Sequence, residues 1–419
     1  MNRVLRAWVV VTGTELVRGD RSDLNGPFLA RELHARGLEP ERMTVVGDRP
    51  EALEAALREA LQADLCVISG GLGPTHDDRT VEILGRVTGR SLEVDAGLEA
   101  EIEQVSRAFA VRARRPYADF EEGVRKQASL PRGALSLGLA GTAPGIVLET
   151  EGRVAVALPG PPAELRRLWA AALESPPVRR LVERAEPRPT SVLRFFGSSE
   201  SAVARALSEA GGERSGVEAT VCARDFEVHV DLVGEDVEAL AAGLRADLGS
   251  YLFAEDERPI AELVLQLCRE QSLTLAVVES CTGGLVGAML TAVPGSSEVF
   301  LGGVIAYADD VKRSELDVPE EVLSRWGAVS AQAAQAMAAG ARARLGADVA
   351  VAVTCIAGPG GATGEKPVGL VYLHAEGPEG SLATDYAVPG ERDVIRRRAA
   401  VSALHLLRRL LTQSRDSSA

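Results

Sequence analysis

ESCTGG, residues 279–284, sets three nucleophiles in a row, Ser280, Cys281 and Thr282, directly before a glycine pair. Further along, Lys312 closes the segment GGVIAYADDVK. Cysteine is intrinsically the stronger nucleophile, and a helix start lowers a thiol pKa. A catalytic cysteine ordinarily works with a histidine base, however, and the nearest histidines in sequence, His229 and His374, stand in no motif. A serine paired with a lysine needs no histidine. The residue types therefore favour Ser280 as nucleophile and Lys312 as base, with the lysine ammonium destabilised by burial or a neighbouring cation. Backbone N–H groups at the start of the next helix, near Thr282, Gly283 and Gly284, would face a developing oxyanion.

Lysine is scarce here. Among the 46 basic residues only Lys126, Lys312 and Lys366 are lysine, and the rest are arginine. Arginine stays protonated near neutral pH, whereas lysine can lose its proton, so a lysine retained in such a chain is a candidate for chemistry that arginine cannot do. Asparagine is equally rare, and Asn25 lies in a glycine-flanked turn.

Two glycine-rich turns near the amino terminus follow apolar runs: TGTELVRG, residues 12–19, and SGGLGPTHDD, residues 69–78. Gly13, Gly70, Gly71 and Gly73 would let backbone N–H groups approach a phosphate. The pattern is neither a Walker loop nor a dinucleotide fingerprint, because His76 stands where the third glycine belongs. Asp77 and Asp78 suit a hard divalent cation such as magnesium held against phosphate, and helix N-capping accounts for them equally well. Glu15 reads either as a site residue or as a first-turn helix charge. A third glycine-rich loop, TCIAGPGGATGEKPVG, residues 354–369, carries Gly358, Gly360 and Lys366. It would cradle a phosphate or ribose, or form a wide turn.

These residues need strands that end in turns. Apolar runs at 6–11, 64–69, 273–278, 348–354 and 368–374 read as strands. Helical periodicity covers 26–36, 51–62, 80–88, 260–271, 283–290, 330–345 and 394–411. Alternation of this kind predicts α/β architecture: two α/β domains with mostly parallel sheets, 1–172 and 257–419, joined by a small α+β domain, 173–256. Junctions fall in the Pro- and Arg-rich stretch 174–190 and at AEDERP, residues 254–259; the tail from 412 reads as disordered.

The net charge of −14 and pI near 5.1 argue against a broad grip on nucleic acid. No apolar run approaches the length that spans a bilayer, so a cytoplasmic protein without membrane contact is expected. The five cysteines are scattered with no CxxC pair, and neither zinc nor a disulfide framework is expected. A homodimer is the simplest closed assembly.

TGTELVRGDRSDLNG, VVGD, SGGLGPTHDDRT, RKQASLP, GTAPG and ALPGPP together resemble the CinA family, competence/damage-inducible proteins, and the amino-terminal part looks like a molybdopterin-binding domain. The resemblance implies metal-dependent ADP-ribose pyrophosphatase activity. It places Glu15, Asn25, Gly70, Gly71, Gly73, Thr75 and Asp78 at a nucleotide site. Gly138 departs from the family, which usually has asparagine there. ESCTGG, PGSS, GGVIAYADDVK, GAVS, IAGPGGATGEKPVG and ERDVIRRRA resemble the family's carboxy-terminal domain, similar to nicotinamide mononucleotide deamidases. That implies hydrolysis of the carboxamide to nicotinic acid mononucleotide and ammonia, with no cofactor. Ser280 would be nucleophile and Lys312 base, with Tyr307, Ser297, Thr354 and Arg396 supporting or binding substrate. Cys355 stands where the family commonly has glycine, and Asp309 where it has asparagine. Two other readings stay open: a pterin-binding module without hydrolysis, and a non-catalytic partner in DNA uptake or repair.

Overall fold

The computed structural model describes residues 3–212 and 216–416, which form two compact units, 1–188 and 189–419. The first unit holds β1 (Leu5–Thr12), β2 (Leu38–Val46), β3 (Leu65–Ser69), the short pair β4 (Leu92–Val94) and β5 (Ser129–Pro131), then β6 (Leu135–Leu139), β7 (Pro144–Thr150) and β8 (Arg153–Leu158). Its main sheet has the order β2-β1-β3-β8-β7-β6. The first four of these strands run parallel, and β7 and β6 complete the sheet antiparallel.

β1 and β3 read LRAWVVVT and LCVIS, apolar almost throughout, because helices cover both faces of a parallel sheet. Trp8, Val10 and Ile68 pack with Leu57 and Ile83 on one face; Val9, Val11 and Val67 pack with Leu29, Leu33 and Trp169 on the other. Each such side chain, fully buried, contributes roughly 1.5–3 kcal/mol. The boundary expected after residue 172 falls inside the helix Pro162–Glu174, and the unit runs on to Arg188.

The second unit begins with an antiparallel sheet of β9 (Thr190–Phe196), β10 (Glu218–Arg224), β11 (Glu227–Val233) and β12 (Leu252–Ala254), in the order β10-β11-β9-β12. The helices Glu200–Glu209 and Val237–Leu248 pack on it through Val203, Leu240 and Leu244. The α/β part follows: β13 (Leu275–Glu279), β14 (Phe300–Ile305), β15 (Val349–Cys355), β16 (Leu370–Gly377) and β17 (Gly380–Ala387), in the order β14-β13-β15-β16-β17. β14, β13 and β15 are parallel; β16 and β17 return antiparallel. The closing helix, Arg392–Asp416, extends past 411, so most of the stretch read as a disordered tail is helical, and residues 417–419 lie outside the described ones.

In both parallel sheets the chain leaves its first strand for one neighbour and returns on the other side. The order reverses between β1 and β3 and between β13 and β15. The crevice outside the carboxyl ends of such strands is where an open α/β sheet takes a ligand. Gly13 and Gly70 follow β1 and β3; Ser280 and Ile356 follow β13 and β15. Among the described residues, no helix is long and apolar enough to cross a membrane.

Candidate active sites

At the first crevice, Thr12, Gly13, Glu15, Asp48, Gly70, Gly71, Gly73, Asp77, Asp78, Gly160 and Glu164 help line a cavity of about 320 Å3. Glycine is required where the loops meet the strands. Gly70 and Gly71 have φ of 103° and 68°, and a Cβ on Gly70 would lie 2.6 Å from the Thr12 carbonyl oxygen. A Cβ on Gly73 would collide with the Asp78 carboxylate. Asp48 ties the first turn down: it accepts from the Thr12 hydroxyl at 3.0 Å and from the Thr14 amide and hydroxyl at 2.9 and 2.6 Å.

The structure separates the expected residues here. Asn25 is buried, donating to Ser69 Oγ at 2.9 Å and the Gly160 carbonyl at 2.7 Å. It clips the ends of β3 and β8 together rather than facing the cavity. Thr75 likewise does not line it: its amide and hydroxyl donate to Asp78 Oδ2 at 3.0 and 2.5 Å, and its hydroxyl also reaches Asp77. Hydrogen bonding from Thr75 is the main reason the Asp77 carboxyl sits below its ordinary pKa. The helix Thr80–Val87 takes no side-chain cap, so the aspartates brace their own turn instead of capping that helix. Lys126 donates to the Thr75 carbonyl and Gln127 to that of Leu72, clamping the loop from outside.

As a metal site the donor set is partial. Among the described residues, no three His, Cys, Asp or Glu side chains converge on one point. Magnesium typically needs only one or two carboxylates, completing its shell with water and phosphate. Asp77 Oδ2 and Asp78 Oδ1 have no hydrogen-bond partner and fit that requirement. Glu164, with no hydrogen bond of its own, faces the same cavity, and burial raises its pKa.

At the second crevice, Ser280 directly follows β13, its amide donating to the Val353 carbonyl at 3.0 Å. Glu279, 1% exposed, does what sequence reasoning assigned to a ligand. Its carboxylate accepts the amides of Gly284, Val286 and Gly287 at 2.9, 3.1 and 2.8 Å, capping the helix Leu285–Thr291. Gly284 is therefore withdrawn from any oxyanion role. The amides of Thr282 and Gly283 have no acceptor, and the buried Thr282 hydroxyl has no partner either. Arg396 is expected to support or bind substrate, but its fork is committed to this turn: Nε to the Cys281 carbonyl at 3.0 Å and Nη2 to the Thr282 carbonyl at 2.8 Å.

Lys312 lies in the helix Asp309–Leu316, 1% exposed, its Nζ donating to the Tyr307 carbonyl and to Asp309 Oδ1, both at 3.3 Å. The Ala306 amide donates to the Glu279 carbonyl at 2.9 Å, so this segment runs beside Ser280 at the same end of the sheet. No hydrogen bond joins Ser280 to Lys312. Thr354, fully buried near the end of β15, donates to the Ala328 carbonyl at 2.8 Å.

The Tyr307 ring is exposed, and its hydroxyl accepts from Arg392 Nη2 at 3.0 Å. Arg392 Nη1 reaches the Gly358 carbonyl at 2.6 Å, linking the β14 side to the glycine-rich loop. Gly360 lies in that loop, in open space. Lys366 pins the loop through the carbonyls of Trp326 and Val329 at 2.6 and 2.7 Å. Ser297 precedes β14 and stands at the opposite end of the strands from Ser280, so one chain does not bring the two together.

Cys281 and Cys355 form a disulfide with Cα atoms 5.6 Å apart, against the sequence expectation. The pairing of Glu279 with Val353 puts the two cysteines opposite each other two residues on. A disulfide sulfur is no nucleophile, which leaves Ser280 and Thr282.

A family model described as "CinA C-terminal domain" matches residues 257–411, and one described as "Probable molybdopterin binding domain" matches residues 8–180. A CinA-like protein of Mycolicibacterium paratuberculosis is 41% identical over 432 residues, covering 98% of this chain and 99% of its own. Another, from Mycolicibacterium gilvum, is 42% identical over 421 residues, covering 97% and 99%. The crystal structure of competence/damage inducible protein CihA from Agrobacterium tumefaciens is 40% identical, covering 38% of this chain and 99% of its own, with a TM-score of 0.36. The chain is a member of the CinA family, with a molybdopterin-binding-like domain at its amino end and the CinA domain at its carboxyl end.

Proposed function

We propose that the carboxyl-terminal domain hydrolyses the carboxamide of nicotinamide mononucleotide. One observation carries this reading: Ser280 closes the middle parallel strand, and a buried lysine approaches the same end from the neighbouring strand. Ser280 Oγ attacks the amide carbon, and Lys312 takes the hydroxyl proton. The C–N bond breaks, and Lys312 returns the proton to the leaving nitrogen, which departs as ammonia. The unclaimed amides of Thr282 and Gly283 face the oxyanion. Water then hydrolyses the acyl-enzyme to nicotinic acid mononucleotide. The test is ammonia release from nicotinamide mononucleotide by the folded protein; none under any condition defeats the reading.

The amino-terminal cavity supports a second activity, hydrolysis of ADP-ribose to AMP and ribose 5-phosphate. The amides of Gly13 and Gly70 are spent on the Val46 and Leu158 carbonyls, so those of Gly71 and Gly73 are left for the pyrophosphate, and Asp77 and Asp78 would hold a divalent ion. Bound there, such an ion would neutralise phosphate charge. Glu164, which lines the same cavity, would orient or deprotonate the attacking water. Metal-dependent appearance of AMP tests this reading. Tight binding without turnover would favour a pterin- or nucleotide-binding module instead.

A further inference from the structure

A disulfide joins Cys281, next to Ser280, to Cys355. That bond joins the turn after β13 to the last residue of β15, across 74 positions of sequence. β13 lies between β14 and β15, and Lys312 arrives from the β14 side. The disulfide therefore ties the Ser280 turn toward β15, away from the lysine.

Both sides of the bond are anchored: the Ser280 amide donates to the Val353 carbonyl, and Arg396 holds the carbonyls of Cys281 and Thr282. Thr354 is anchored on the Ala328 carbonyl, and Lys366 pins the following loop with two hydrogen bonds. With the bond closed, the Ser280 hydroxyl makes no hydrogen bond, and Lys312 gives its hydrogens to Tyr307 and Asp309.

We infer that Cys281 and Cys355 are a thiol-modification site controlling the hydrolytic pair: closed, the bond holds Ser280 off Lys312; open, it lets the two meet. The inference rests on the reading of Ser280 and Lys312 as nucleophile and base. The ligand class is a small disulfide or a dithiol. On closing, two thiols give up two protons and two electrons to a small disulfide, which leaves as two thiols. On opening, a dithiol thiolate attacks one sulfur, and its second thiol resolves the mixed disulfide. The reductant leaves as a cyclic disulfide, and both cysteines are thiols again.

Cys281 and Cys355 are buried, at 6% and 7% exposed, against 1% and 0% for Cys66 and Cys268. The other cysteines do not compete. Burial pushes the thiols of Cys66 and Cys268 up to about 12, and Cys222, though exposed, is a free thiol in another sheet.

The experiment uses the full chain, equilibrated with oxidised or reduced dithiothreitol. Thiols are counted in denaturant, and Ser280 is labelled in the native state with a fluorophosphonate. The expected count is three free thiols after oxidation and five after reduction. Labelling of Ser280 should quicken on the order of 10²-fold on reduction, the scale of general-base assistance. Cys355→Gly and Cys355→Ser should both label at the fast rate in either buffer, and Ser280→Ala not at all. Five thiols after oxidation, equal labelling in both states, or no labelling in either overturns the inference. If labelling follows the redox state while nicotinamide mononucleotide yields no ammonia, the switch stands and the substrate reading falls.

Discussion

The Nε of Arg396 donates to the Cys281 carbonyl at 3.0 Å, across 115 positions of sequence. With Nη2 on the Thr282 carbonyl, the guanidinium draws two successive peptide oxygens to one side. In a planar trans peptide the N–H points opposite to the C=O. The amides of Thr282 and Gly283 are thereby turned the other way, without acceptors, beside the strand end that carries Ser280. Arg396 thus aims the amides that the reaction would use.

Arg396→Lys should lower kcat for ammonia release about 10²–10³-fold, the scale for loss of an aligned oxyanion donor, with KM little changed. A lysine supplies one point charge where two carbonyls need a fork. Steady-state kinetics decide the matter: a raised KM at unchanged kcat would return Arg396 to a substrate-binding role.

Glu279→Ala should cost the second unit about 2–4 kcal/mol, because three amides lose their acceptor in a buried place. Glu279→Gln keeps one carboxamide oxygen as acceptor and should cost less. Urea denaturation followed by circular dichroism measures both. Equal, small effects would mean that the helix Leu285–Thr291 does not depend on this cap.

Acid should weaken the join between the antiparallel sheet and the closing helix. Burial alone would raise the Glu227 pKa, but hydrogen bonds from His229 and His405 outweigh it and bring the carboxyl to about 2. A depressed carboxyl contributes stability above its ordinary value of about 4.5, lost as pH falls from there toward 2. His405, stacked 3.7 Å from Phe196, is depressed chiefly by burial. Its stabilising effect is present above about 6.5 and declines as pH drops below that. Tm of the full chain should fall in two stages, beginning near these two values. In Glu227→Gln the lower stage should disappear; its persistence would assign acid sensitivity elsewhere.

Gly70→Ala should abolish nucleotide binding at the amino-terminal cavity and cost about 1–3 kcal/mol, because φ of 103° is strained for alanine and its methyl meets the Thr12 carbonyl. Asp78→Ala should remove metal-dependent AMP formation from ADP-ribose while binding persists. Calorimetry with ADP-ribose, alongside an AMP assay, separates the two. Full turnover in Asp78→Ala would dismiss the metal role.

Much of the fold was legible because parallel strands covered on both faces are near-continuous apolar runs. LRAWVVVT, LCVIS and VAVAVTC announce themselves, and the glycine turns mark where they end. Ser280 and Lys312 could be picked out by residue type. The scarcity of lysine proved informative in an unforeseen way: Lys126 places a compact ammonium on one backbone carbonyl and Lys366 on two, each bracing a glycine-rich loop.

What stayed hidden depends on register and on folding back. The partner of Cys281 is visible only once β13 is laid beside β15. Ser297 lies close to Tyr307 in sequence, yet the intervening strand carries it to the far end of the sheet. Glu279 caps a helix it precedes by several residues, a role its single letter does not disclose. Asp48 and Arg392 sit inside VVGD and ERDVIRRRA, but only contacts distant in sequence reveal what they hold.

The most direct measurement is ammonia release from nicotinamide mononucleotide by the reduced chain beside Ser280→Ala, Lys312→Met and Cys281→Ala, each checked for native circular dichroism. Ser280→Ala and Lys312→Met should lose activity by at least about 10²–10⁴-fold, and Cys281→Ala should keep most of it. Retention by Ser280→Ala, or loss confined to Cys281→Ala, would contradict a serine activated by a buried lysine.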